Sequence, residues 1–212
     1  MEKGSDTLGS LGVLISGRGS NLQSLIDAQA AGELPARIAV VISNKPGAQG
    51  LDRARAAGIE ALTISHHDFH DRDAFDHALA KALKDRGVTL VCLAGFMRLI
   101  GRPLLDAFPD AILNIHPSLL PSFPGVDAQA QALAHGVKVS GATVHLVNGD
   151  LDAGPIVAQA TVPVKDDDTP ESLSKRILVE EHRLYPLAVR IVLAGGWKID
   201  GRRFVRSPDL GV

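Results

Sequence analysis

Apolar residues along the chain follow two rhythms. Short, almost unbroken runs alternate with stretches in which an apolar residue returns every third or fourth position. Leu11-Gly-Val-Leu-Ile-Ser16, Arg37-Ile-Ala-Val-Val-Ile-Ser43, Glu60–Ile64 and Val88-Thr-Leu-Val-Cys-Leu-Ala94 are of the first kind and predict strands. Runs this apolar suit strands buried on both faces, as in a parallel sheet covered by helices. Between them, Leu22, Leu25 and Ile26 follow a helix start near Ser20, and Gly50–Gly58 reads as a helix with a glycine stop. Asp71–Arg86 sets Phe75, Leu79 and Leu83 on one helical face, and Pro103–Phe108 is a short helix leading into a further strand. Strand and helix in alternation predict successive right-handed βαβ units.

After Gly125 the rhythm changes. Asp127–His135 reads as a helix, and Val137–Val147 and Ile156–Val164 read as strands flanking the polar, glycine-rich loop Asn148-Gly-Asp-Leu-Asp-Ala-Gly-Pro155. Thr169 can cap a long helix whose first position suits Pro170, with Leu173, Ile177, Leu184, Ala188 and Ile191 on one stripe. Trp197–Val205 predicts a terminal hairpin. Without repeats or a linker, residues 11–212 read as one domain with two parts, 11–110 and 111–212. Residues 1–10, polar and glycine-containing, read as an extension without fixed structure.

Composition narrows the function classes. Apolar residues make up 45% of the 212, few of them aromatic, so Ala, Val, Leu and Ile must pack the core. A formal net charge of −2 with mixed signs gives no support for binding nucleic acid or an anionic membrane. Arg202, Arg203 and Arg206 read as a solvated edge. The single cysteine, Cys92, lies in an apolar run, which makes it a core thiol and excludes an internal disulfide. The N-terminus lacks a signal-peptide pattern, and no apolar run approaches the roughly 20 residues that span a bilayer. A soluble protein of a reducing compartment is expected.

The chemistry gathers in Ala111-Ile-Leu-Asn-Ile-His-Pro-Ser-Leu-Leu-Pro-Ser-Phe-Pro-Gly125. Asn114 and His116 are two apart on a strand and share a face, at the carboxyl end where open α/β sheets bind ligands. An amide beside an imidazole suits a carbonyl oxygen and a proton. Gly17-Arg-Gly-Ser-Asn21, where a strand feeds a helix, can hold a phosphate on backbone N–H groups. It lacks the third glycine of a dinucleotide loop, and Asn44 and Lys45 stand where that motif needs an acid, so a smaller phosphate ligand is implied. In the later loop, either Asp150 or Asp152 can supply a carboxylate that keeps His116 charged and oriented. Glu180 and Glu181 lie on or beside the apolar stripe of the long helix, where a carboxylate needs either a partner or water. His66, His67, His70 and His77 do not form the helical zinc-protease motif and read as surface residues; no metal site is expected.

Leu14-Ile-Ser-Gly-Arg-Gly-Ser-Asn-Leu-Gln23, Leu93-Ala-Gly-Phe-Met-Arg98, Asn114-Ile-His-Pro-Ser-Leu-Leu-Pro121 and Leu151-Asp-Ala-Gly-Pro155 together resemble the folate-dependent formyltransferases. The glycine-serine-asparagine loop is similar to that of the phosphoribosylglycinamide branch, and the resemblance runs from about Leu11 to Gly196. It implies the formyltransferase fold: an α/β, Rossmann-like, mostly parallel sheet flanked by helices, with antiparallel strands and a long helix added C-terminally. It implies a catalytic trio of Asn114, His116 and Asp152, thereby choosing Asp152 over Asp150. Gly19, Ser20, Asn21 and Glu181 match the positions that hold glycinamide ribonucleotide. Arg72, Met97, Arg98, Leu99, Ile100, Asn114 and Asn148–Asp152 (Asn148, Gly149, Asp150, Leu151, Asp152) match the folate-binding positions. Leu146, Gly149, Asp127 and Gln129 depart from the family's usual residues.

The resemblance further implies formyl transfer from 10-formyltetrahydrofolate, as co-substrate, to the glycinamide ribonucleotide amine in purine synthesis. Small molecules are the expected partners, in the cytoplasm, with the chain a monomer or weak homodimer. Alternatives are a formyltetrahydrofolate hydrolase or a methionyl-tRNA formyltransferase, each expected to carry a further domain, and a nucleotide-sensing domain that would have no use for the trio.

Overall fold

A computed structural model describes residues 9–207. The expectation for the residues before Gly9 therefore lies outside the described residues. Among the described residues, nine strands form one sheet in the order β3-β2-β1-β4-β5-β6-β7-β9-β8. β1 (Gly9–Ile15), β2 (Ala36–Ser43), β3 (Glu60–Thr63), β4 (Leu90–Leu93) and β5 (Ile112–His116) are parallel neighbours. β1 opens earlier than its apolar run predicts, because Gly9 N–H bonds the Pro35 carbonyl and Ser10 N–H bonds the Thr89 hydroxyl. Those two residues thus belong to the sheet and not to the extension.

Helices α1 (Ser20–Ala30), α2 (Gln49–Ala56), α3 (Arg72–Lys84) and α4 (Arg102–Ala107) connect the parallel strands. The sheet separates two apolar cores, and strand alternation assigns residues to them. Leu11, Val13 and Ile15 of β1 face the core of Leu22, Leu25 and Ile177, whereas Leu14 faces that of Phe75, Leu79 and Leu83. Both faces are dry, which explains the unbroken apolar runs.

The second part adds α5 (Ala128–Ala134), β6 (Val139–Leu146), β7 (Ile156–Pro163), α6 (Pro170–Leu193) and the hairpin β8 (Trp197–Asp200) and β9 (Arg203–Arg206). β6 runs antiparallel to β5, and β7 to β6. Thr169 caps α6, with Ser172 closing a reciprocal capping box. The predicted stripe of α6 is buried, and the Tyr185 hydroxyl donates to the Leu93 and Leu113 carbonyls at 3.0 and 3.2 Å. α6 is thereby pinned under β4 and β5. The order in which strands are added reverses at β1, with β2 on one side and β4 on the other, so a crevice opens at the carboxyl ends of β1, β4 and β5. Among the described residues, no helix is long and apolar enough to cross a membrane.

Candidate active site

Asn114 and His116 end β5 on the face shared with Ile112, toward α3 and α4. Asp152 returns to them from the loop after β6. Its backbone is left-handed (φ 48°), and its side chain is only 9% exposed, while neighbouring Leu151 is 57% exposed. Asp152 Oδ2 lies 3.3 Å from His116 Nδ1 and accepts the Gly125 N–H at 2.7 Å. Its Oδ1 lies 3.5 Å from Asn114 Nδ2. His116 Nε2 donates to the Phe123 carbonyl at 2.8 Å. Both ring nitrogens of His116 therefore face acceptors, an arrangement that satisfies a ring carrying both protons.

Asp150 takes no part. It is exposed, and its N–H bonds the Asn148 side chain within a local turn at 3.1 Å. Burial alone pushes the Asp152 carboxyl up, but the groups around it, the Gly125 N–H and His116 among them, outweigh it, and its pKa falls below the ordinary value. Asp152 is thus held as a carboxylate.

His145 is the residue that sequence reasoning missed. It pairs directly across the ladder from Asn114, its side chain is 2% exposed, and its Nε2 lies 3.2 Å from Asn114 Nδ2 and 3.6 Å from Asp152 Oδ1. The available signal was a histidine inside the apolar strand Gly141–Val147. Which residue it meets depends on the register with β5.

Gly19 precedes α1 at φ 71°, and a Cβ there would come within 2.7 Å of Gly50 Cα, so only glycine fits. No side chain caps α1, which leaves its first-turn N–H groups facing the crevice end of β1. Asn21 Nδ2 donates to Glu181 Oε2 at 2.8 Å across α1 and α6, both side chains being buried. The fold therefore joins Glu181 to the Gly19–Asn21 loop. Burial pushes the Glu181 carboxyl up, and the Asn21 bond offsets this only in part. Glu180 stays on the helix flank, 3.5 Å from Arg183.

Apart from Ile100, Asn114 and Asp152, the positions matched to folate form an exposed rim. Met97 and Leu99 are 68% and 59% exposed, and Arg98 and Asn148–Leu151 are exposed as well. The stretch is held at both ends: Met97 N–H donates to Ser16 Oγ at 2.8 Å, and Gly101 N–H to Asp76 Oδ2 at 2.6 Å. A Cβ on Gly101 would lie 2.7 Å from Asp76 Oδ2 and 3.4 Å from Arg72 Nε, so Arg72 borders the same stretch. Ile100 and Val147 pack on one core, which draws the two loops to the same edge. Of the departing residues, Leu146 faces the α6-side core, on the opposite face of β6 from His145.

Two expectations are corrected. His67, His70 and His77 are exposed, but His66 is half-buried, its Nδ1 3.3 Å from Asn44 Nδ2, because the end of β2 brings Asn44 beneath it. Arg202 is not merely a solvated edge. The β8–β9 turn carries it to the Ala153 carbonyl, 3.1 Å away, and it lines a cavity of about 230 Å³ with Leu120, Pro121, Asp152, Gly154 and Ile156. A larger cavity of about 520 Å³, lined by Gln23, Gln49, Asp52 and Arg53, borders the Gly19 loop, where Arg53 Nε donates to the Arg18 carbonyl at 2.9 Å. Cys92 is fully buried and its thiol is pushed up to about 12 by desolvation, as expected of a core residue.

Residues 11–189 match the family model described as Formyl transferase. The trifunctional purine biosynthetic protein adenosine-3 of Bos taurus is 48% identical over 187 residues, 88% of this chain but only 18% of that protein's length. The chain thus spans less than a fifth of these trifunctional relatives. The phosphoribosylglycinamide formyltransferase of Escherichia coli is 41% identical over 90% of this chain and 87% of its own. The crystal structure of glycinamide ribonucleotide transformylase 1 from Symbiobacterium toebii superposes with a TM-score of 0.92 at 56% identity, covering 93% of each chain.

Proposed function

The chain belongs to the formyl transferase family, and from that premise we propose that it moves the formyl group of 10-formyltetrahydrofolate to the amine of N1-(5-phospho-β-D-ribosyl)glycinamide. The observation that carries this reading is the convergence of Asn114, His116 and Asp152 from β5 and the following β6–β7 loop into one nearly dry cluster. In purine synthesis the products are the N-formyl ribonucleotide and tetrahydrofolate. The same reading makes the chain a cytoplasmic monomer or weak homodimer that acts on small molecules.

The ribonucleotide phosphate sits on the N–H groups of the Gly19-Ser20-Asn21 loop, and Glu181 contacts the glycinamide portion. Folate lies against Met97–Ile100, Arg72 and Asn148–Asp152, covering the apolar rim. The neutral amine attacks the formyl carbon, and negative charge develops on the formyl oxygen. Asn114 and protonated His116 donate hydrogen bonds to that oxygen. His116 Nε2 is bonded to the Phe123 carbonyl at 2.8 Å, so donation from it trades that bond for one to the oxyanion. Asp152 holds the imidazolium on its Nδ1 side and assists transfer of the proton from the attacking amine toward N10, which leaves with the electron pair of its bond to the formyl carbon. The protein's contribution is fixed donors and a fixed carboxylate in a site largely closed to water.

Incubation with 10-formyltetrahydrofolate, with and without glycinamide ribonucleotide, tests the proposal. Tetrahydrofolate release only when the amine is present is the expected result. Turnover without the amine identifies a hydrolase, and no turnover in either case identifies a binding module.

A further inference from the structure

An amide side chain can meet a substrate with either end, and the hydrogen bonds behind it decide which. Behind Asn114 stands His145, directly across the β5–β6 ladder and 2% exposed. His145 Nδ1 lies 2.9 Å from the Leu146 carbonyl, which can only accept, so in the neutral ring the N–H belongs on Nδ1. Nε2 is then an acceptor, and its neighbour at 3.2 Å is Asn114 Nδ2. Asp152 Oδ1 is the more distant neighbour of Nε2, at 3.6 Å, outside hydrogen-bonding range. A proton on Nε2 would oppose the amide N–H at the shorter of these distances, and would favour an Asn114 turned end for end.

We infer that His145, as the neutral ring with its N–H on Nδ1, is a positioning residue that keeps the NH2 end of Asn114 in the site. Nε2 holds one amide N–H. The other makes only a long contact with Asp152 Oδ1, 3.5 Å, and is left to turn to an oxygen bound between β5 and the Asp152 loop. His145 also occupies the space behind the amide, so the donor is held in direction as well as in identity. Tertiary placement of this kind matters because roughly 1 Å of misplacement of a reacting group can cost a hundredfold in rate.

The inference rests on the proposed transfer reaction for its kinetic consequences but not for the tautomer, and the test separates the two. In the intact protein labelled with 15N-histidine, the His145 resonances, identified by their loss in His145→Gln, should show a protonated Nδ1 and a bare Nε2. A protonated Nε2 overturns the proposal whatever the activity. In the transfer assay, His145→Leu should lower kcat tenfold to a hundredfold with both KM values within about twofold of the parent. His145→Gln, which returns an acceptor near the place of Nε2, should recover most of that loss. In an Asn114→Ala background, His145→Leu should cost little more, because its target is gone. Equal loss in the Leu and Gln variants, or full additivity with Asn114→Ala, overturns the positioning role. If His145→Leu does not fold, the Gln variant and the tautomer measurement decide. A parent protein without transfer activity would overturn the function proposed above and leave the tautomer result standing.

Discussion

The buried cluster and the exposed rim of this site are built in opposite ways. Asn114, His116 and His145 are strand residues whose neighbours on the ladder fix them, and Asp152 reaches them with a side chain only 9% exposed. Met97, Leu99 and Leu151 stand on loops with more than half of their surface in water. Rigid strands hold directions to a fraction of an ångström, as donors to developing charge require. Loops offer apolar surface that a flat ligand can cover, and that surface contributes only when the ligand arrives. The loop 148–152 shows both designs within five residues, since Asn148–Leu151 face solvent and Asp152 turns inward.

The contrast can be broken by substitution. Asp152→Asn removes the charge that faces His116 and weakens acceptance from Gly125, and should lower kcat on the order of a thousandfold with the fold intact by circular dichroism. Asn114→Ala removes the proposed oxyanion donor, a group typically worth about 3–4 kcal/mol, and should lower kcat on the order of a hundredfold or more. Near-parental turnover in either variant would remove that residue from the chemistry. On the rim, Leu99→Ser should raise the KM for the folate roughly tenfold and spare kcat, since burial of part of a leucine side chain is worth about 1–2 kcal/mol. A fall in kcat matching that of Asn114→Ala would erase the distinction between cluster and rim.

The smallest effect concerns Glu181. Its carboxyl is raised by burial above its ordinary value of 4.5, so the folded state holds that proton more tightly than the unfolded chain does. The stability of the parent protein attributable to this group is present in acid and is lost as pH rises from about that value through the folded-state pKa. Glu181→Gln keeps an acceptor for Asn21 Nδ2 and removes the charge. Its melting temperature should therefore exceed that of the parent at pH 8 by roughly 2–4 °C and match it near pH 4. An equal difference at both pH values would show that the carboxylate carries no cost. The same variant should bind the ribonucleotide more weakly, read as a raised KM for that substrate alone.

Much of this molecule was legible along the chain. Continuous apolar runs demanded strands covered on both faces, helical spacing set Phe75, Leu79 and Leu83 on one side of α3, and Thr169-Pro170 marked the start of α6. Period two alone places Asn114 and His116 on one face of β5, because successive side chains of any strand point to opposite faces. These are local rules, and they act wherever the residues lie. Partnership across the fold is different in kind. That His145 stands opposite Asn114 follows from a β5–β6 register no single strand encodes, and that Asp152 rather than Asp150 meets His116 follows from the inward turn of a loop over Gly125. Glu181 and Asn21 meet across 160 residues only because α1 and α6 pack side by side beneath the sheet. Periodicity determines which face a side chain takes; only packing of the elements decides what waits on the other side.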